Sequence, residues 1–149
     1  MKFLITGFTP FGGSEINPSA LLIEKITTEK LCFADASYDT LLIDTTYRGS
    51  TEAIAGKIRN NEYDYILCFG VSGKARYITF ERIAVNIDDA DIADNAGDLR
   101  KGSKISETGP AGYFSTLPLD ILSGKLKKNN ISSVISNHAG TYVCNHLFY

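Results

Sequence analysis

An α/β architecture built on a mainly parallel sheet is what this 149-residue sequence predicts, on three observations. Short runs of apolar and β-branched residues recur along the chain. Segments with helical spacing alternate with them. One run, DYILCFG, is apolar almost without interruption, as a parallel strand covered on both faces would be. The expected product is a three-layer α/β/α sandwich forming one domain over residues 1–149.

The elements follow in order. KFLIT (residues 2–6) reads as a buried strand closed by Gly7, and the loop GFTPFGGSEI carries two phenylalanines among glycines. Asn17 then caps a helix whose first position is Pro18, where the missing N–H costs no hydrogen bond, and Ala20, Leu21, Ile23 and Ile26 carry it to about Thr27. Residues 36–45 form a second strand and residues 47–60 a second helix, with Ile54, Ala55 and Ile58 on its apolar side. The run at residues 64–70 is the covered strand. Residues 77–87, rich in β-branched side chains, are extended, and residues 88–110 form a polar loop or hairpin. A helix over residues 118–129 ends at Asn129-Asn130, and ISSVISN (residues 131–137) is the last strand. After the turn Ala139-Gly140 a helix begins, and it closes on Leu147-Phe148-Tyr149, apolar and uncapped. The chain therefore reads as truncated. An exposed sheet edge and an apolar helix face should then drive aggregation or a compensating oligomer.

Composition narrows the function classes. Apolar residues make up 44% of the chain and charged residues 21%, with a formal net charge of −2. There is no basic block for nucleic acid or an anionic membrane, and no run approaching the ~18–20 apolar residues of a membrane span. The start MKFLITGF is broken too soon by Gly7 and Pro10 for a signal peptide, so a cytoplasmic protein is expected. Cys32, Cys68 and Cys144 form no CxxC, which argues against a zinc site, a redox pair or a disulfide framework. Neither metal nor cofactor is expected.

Three residue types could carry chemistry. Cys144 lies near the start of the last helix, at the carboxyl edge of the sheet, where unpaired backbone N–H groups favour a thiolate; the alternative is a small buried hydrophobe. Cys68 reads as core, and Cys32 carries no signal. His138 and His146 are the only histidines. His146 is two positions from Cys144 and so points to another side of a helix, while His138 sits before the turn. Glu81 stands in the otherwise apolar TFERIAVN, either as a site carboxylate or on a solvated face with Arg82 or Arg76. The loop GVSG (residues 70–73) could hold an anion on backbone N–H groups but lacks nucleotide-binding spacing.

Five segments together carry a resemblance: GFTPFGG with NPS (residues 7–13 and 17–19), GVSG, ERIAVN (81–86), AGYFSTLP (111–118) and ISNHAGTYVCN (135–145). In this order and spacing, over nearly the whole chain, they resemble the pyroglutamyl peptidase I (pyrrolidone-carboxylate peptidase) family. The resemblance implies a phosphorylase/hydrolase-like α/β fold and a thiol peptidase removing N-terminal pyroglutamate from peptides, with no cofactor and as a homo-oligomer, dimer or tetramer. Cys144 matches the nucleophile and Glu81 the acidic member of a Cys-His-Glu triad. A flat, largely apolar lactam suits aromatic walls, for which Phe8, Phe11 and Tyr142 are candidates, with backbone groups at Val71 for its amide. Asn17 belongs to the same set, more as a brace of the loop than as a contact. Two departures stand out. The family's histidine follows the cysteine helix on a later strand, which this sequence does not reach, and Asp91 stands where many bacterial members carry arginine. Three readings result: a peptidase whose given sequence is incomplete, a dead homologue that binds lactams or peptides without turnover, and a phosphorylase-like anion-binding α/β protein.

Overall fold

The fold is described from a computed structural model, covering residues 1–29, 35–73 and 75–149. It is α/β, with parallel and antiparallel strand pairs and flanking helices. The chain divides into two compact units, Met1–Val71 with Ile92–Leu99, and Ser72–Asp91 with Arg100–Tyr149.

In the first unit, β1 (Lys2–Phe8) is the middle strand of a wholly parallel sheet, between β2 (Ser37–Ile43) and β3 (Tyr65–Cys68). Both neighbours cover its edges, so every residue from Leu4 to Phe8 is buried. This strand runs two residues beyond the expected KFLIT. Helix α1 (Pro18–Glu29) lays Ile23 and Ile26 on Ile5, with Phe3, Leu22 and Tyr38 around them. At Gly7 the two elements approach so closely that a Cβ would strike the Ser19 carbonyl oxygen. Asn17 caps α1 as expected, its Oδ1 accepting from the Ser19 backbone N–H at 2.9 Å. Helix α2 (Tyr47–Arg59) is capped by Thr46, whose Oγ1 accepts from the Gly49 N–H at 3.1 Å. Residues 92–99 join this unit through Asp94, whose Oδ2 accepts from the Tyr47 N–H at 2.8 Å.

One expectation about this unit fails. DYILCFG is not covered on both faces: β3 is an edge strand, and Tyr65, Ile66, Cys68 and Phe69 all keep substantial exposure. Among the described residues its one ladder partner is β1, where Tyr65 stacks on Phe3 with the rings 5.5 Å apart. Cys32 lies outside the described residues.

In the second unit, β4 (Ile78–Val85) is flanked by β5 (Gly112–Phe114), antiparallel, and β6 (Ser133–His138), parallel. The three residues of β5 are too few to alternate visibly, which is why the sequence reading passed over them. Gly112 is required there, because a Cβ would meet the Ala84 carbonyl oxygen at 2.6 Å. Helix α3 (Leu119–Lys128) ends at Asn129, and Asn130 takes the left-handed conformation (φ 58°) that asparagine tolerates. The polar stretch after β4 contains one antiparallel bridge, Asp88 to Ser103. Helix α4 (Val143–Phe148) follows β6 through a turn with Gly140 at φ 79°.

Candidate active site

Strand geometry sorts the residues of β4 and β6 onto two faces. In a parallel pair, residues in register share a face and successive residues alternate. Glu81 is in register with Ser136, and Ile83 with His138. Arg82 therefore faces the other way, where its Nη1 donates to Asn137 Oδ1 at 3.1 Å. The pairing of Glu81 with Arg82 or Arg76 considered from the sequence does not form. Glu81 is half-buried, and its Oε2 is fully buried with no hydrogen-bond partner among the described residues. A buried carboxylate oxygen left unsatisfied is uncommon, because its lost hydration is not replaced.

Beyond His138 the chain turns. The Gly140 N–H donates to His138 Nδ1 at 3.1 Å, so the exposed imidazole braces the turn through the nitrogen that carries no proton. The Asp89 N–H donates to the Thr141 carbonyl at 2.9 Å, tying the turn to the segment that follows β4. Half-buried Tyr142 then occupies the N-cap position of α4, without a side-chain cap bond.

Cys144 is half-buried in the first turn of α4, between Val143 and Asn145, both with no exposed surface. Two neighbouring side chains fasten this helix. The Asn145 carboxamide bonds both backbone groups of Val85, accepting from its N–H at 2.9 Å and donating to its carbonyl at 2.8 Å. The buried His146 places Nδ1 2.8 Å from Asp88 Oδ2, and the same oxygen accepts from Arg100 Nη1 at 2.7 Å. His146 thus points into an ionic cluster with a fully buried aspartate. The sequence reading did not single out Asn145, Asp88 or Arg100. No local signal could have found them, since each acts on a partner far along the chain.

Phe8, Phe11, Asn17 and Val71 belong to the first unit, whereas Glu81, Tyr142 and Cys144 belong to the second. Phe8 is buried in the core of its unit at 2% exposure; Phe11 and Val71 are half-exposed. Asn17 spends its side chain internally: Oδ1 also accepts from Ser19 Oγ at 2.8 Å, and Nδ2 donates to the Thr9 carbonyl at 3.1 Å. Asp91 is exposed and paired with Lys101 at 2.6 Å, which holds its carboxyl below the usual range and raises the lysine in return. Cys68 keeps surface access at residue level, but crowding around its sulfur dominates, and burial pushes the thiol up. Among the described residues no group of three or more His, Cys, Asp or Glu could hold a metal ion. Two open grooves of about 510 and 330 Å³ lie along α3 in the second unit, and neither is lined by Glu81 or Cys144.

With this geometry in place, the chain was compared with known proteins. A family model described as pyroglutamyl peptidase matches residues 1–149. Among curated proteins, a pyrrolidone-carboxylate peptidase of Fusobacterium nucleatum is 45% identical over 99% of this chain and 68% of its own length. That of Alkaliphilus oremlandii is 42% identical, over 100% of this chain and 68% of its own length. Among solved structures, the pyrrolidone carboxyl peptidase of Fervidobacterium islandicum AW-1 superposes with a TM-score of 0.96 at 33% identity, covering 100% of this chain and 71% of that one. Pyroglutamyl peptidase I of Bacillus amyloliquefaciens gives 0.92 at 37% identity, covering 99% and 71%.

Proposed function

The chain belongs to the pyroglutamyl peptidase family, and from that premise we propose that it is built for removal of an N-terminal pyroglutamyl residue from peptides, with Cys144 as nucleophile and Glu81 as the carboxylate that orients the base. The Cys144 thiolate attacks the carbonyl carbon of the pyroglutamyl residue, forming a C–S bond. The C–N bond then breaks and the amine leaves with a proton delivered by an imidazolium. Water, deprotonated by the same imidazole, hydrolyses the thioester and frees the thiol.

The observation that carries this reading is Glu81 Oε2, buried and without a hydrogen-bond partner among the described residues, on the strand to which the residue after Cys144 is tied. Such an oxygen is an acceptor awaiting an N–H, as the carboxylate of a triad is before its histidine is in place. Neither histidine of this chain supplies it, since the oxygen has no hydrogen-bond partner among the described residues; the Nδ1 of His138 takes the Gly140 N–H, and that of His146 meets Asp88. The reading assigns the imidazole to a group outside these residues. The 149-residue chain alone should then turn over more slowly by the ~10²–10⁴-fold that a general base contributes.

The test is hydrolysis of a fluorogenic pyroglutamyl amide by the chain, beside Cys144→Ala and Glu81→Gln. Weak turnover abolished by Cys144→Ala supports the nucleophile. Turnover that survives Cys144→Ala refutes it. If the chain binds a pyroglutamyl ligand without cleaving it, the fold serves binding alone, and the catalytic reading is lost for this chain.

A further inference from the structure

The parallel ladder between β4 and β6 runs to the pair Ile83 and His138, and β6 ends there. The next rung on β4 is Val85, whose N–H and C=O need partners inside the protein. A side chain supplies the N–H with its acceptor and shares the carbonyl with the Ile87 N–H, which donates to it at 2.9 Å. Asn145 Oδ1 accepts from the Val85 N–H at 2.9 Å, Nδ2 donates to the Val85 carbonyl at 2.8 Å, and its second hydrogen reaches the Ile87 carbonyl at 3.1 Å. A primary amide has two donors and an acceptor in one plane, and Asn145 uses all of them with no exposed surface. Its carboxamide has the composition and geometry of a peptide group and occupies the place of one.

We infer that Asn145 is a positioning residue: by standing in for the missing rung of the β4–β6 ladder, it fixes the Cys144 thiol at the carboxyl end of the strand that carries Glu81. This rests on the reading of Cys144 as nucleophile. The rigid link is short, since Asn145 directly follows the cysteine, so a shift in its amide is passed to the thiol. Aspartate has the same shape, but the oxygen in place of Nδ2 cannot donate and would face the carbonyls of both Val85 and Ile87, and that repulsion turns the side chain away from the Val85 N–H as well. Glutamine keeps the amide on a longer stem, so its variant should keep part of the link.

The test compares the wild-type chain with Asn145→Asp and Asn145→Gln by two measurements that need no peptidase turnover. The first is the iodoacetamide alkylation rate of Cys144 relative to Cys68, resolved by peptide mass spectrometry. The second is amide hydrogen exchange at Val85. In the wild type, Cys144 should react faster than Cys68 and Val85 should be protected. In Asn145→Asp, Val85 should lose protection while Ile83 and Leu4 keep theirs, and Cys144 should slow ~10-fold or more, the scale on which small misplacements act. Asn145→Gln should lie between. A Cys144 that keeps its rate or speeds up after Val85 has lost protection overturns the inference and leaves the nucleophile standing. Loss of protection throughout β1 and β4 in both variants also overturns it, because Asn145 would then hold up the fold and not the thiol. A wild-type Cys144 no faster than Cys68 removes the nucleophile reading, and this inference with it.

Discussion

Asp88 has no exposed surface, and one of its oxygens receives both His146 and Arg100. Its backbone is bound as well, giving its N–H to the Ser103 carbonyl at 2.7 Å. Removing the carboxylate would take away the acceptor that holds both the buried His146 and a guanidinium that is itself mostly covered. Asp88→Ala should therefore cost about 3 kcal/mol, in the range for breaking a buried ion pair, and urea denaturation would measure it. A second residue-scale prediction concerns pH. Tyr63 Oη donates to Asp39 Oδ2 at 2.7 Å, which raises the phenol to about 12 and lowers the carboxyl. Both shifts favour the same bonded form, phenol protonated and carboxylate ionised. The tyrosine's contribution to stability is present below its unfolded value of about 10 and is lost as pH rises through about 12. The aspartate's is present above its ordinary value and is lost as pH falls through its lowered one. An absorbance titration at alkaline pH should show Tyr63 among the late-ionising tyrosines, and Asp39→Asn should reduce that late fraction. At this scale the sequence was legible only where a motif spoke. Cys144 and Glu81 stood out as a thiol near a helix start and a carboxylate in an apolar strand. The fastening of His146 to Asp88 did not, since the partners are 58 residues apart.

Helices and strands were legible where flanking chemistry marked them. Asn17-Pro18 announced α1, and the Asn129-Asn130 pair announced the end of α3. The cap of α2 is Thr46, one position before the expected start, and Thr46→Ala should lower stability by about 1 kcal/mol in thermal or chemical denaturation. Gly7 is a stronger constraint. A methyl there would be driven against the Ser19 carbonyl and, at 2.8 Å, the Cγ1 of Ile23, so β1 and α1 would have to separate. Gly7→Ala should cost about 1–3 kcal/mol by the same denaturation curve, as overpacking does. What could not be read was which strand lies at an edge. An apolar run shows that a strand can be covered, not that a neighbour is present to cover it, and among the described residues β3 has ladder contact on one side.

Across the chain, apolar side chains remain at the surface in numbers that invite contact. Phe114 is 71% exposed, Ile121 60% and Tyr77 55%, all in the second unit. Large apolar side chains left in water favour association wherever they adjoin one another. Sedimentation velocity should show the average mass rising with concentration, and Phe114→Lys should weaken that rise; a concentration-independent monomer would contradict the expectation. The division into two compact units was not visible in the sequence either, because residues 92–99 belong with the first unit while their flanks belong with the second. That membership is set by hydrogen bonds such as Asn95 N–H to the Thr45 carbonyl, at 3.0 Å, which no local pattern encodes. The distance along the chain has a consequence in time. β4 and β6 meet across 55 residues, as Arg82 and Asn137 show, whereas α1 follows β1 almost at once. Closing the longer loop costs more entropy before any contact repays it, so the β4–β6 ladder should form late in folding. The Asn145 rung is built on that ladder. A chain still on its way to the native state would accordingly hold its cysteine in no fixed place, and the thiol would acquire its setting among the last events of folding.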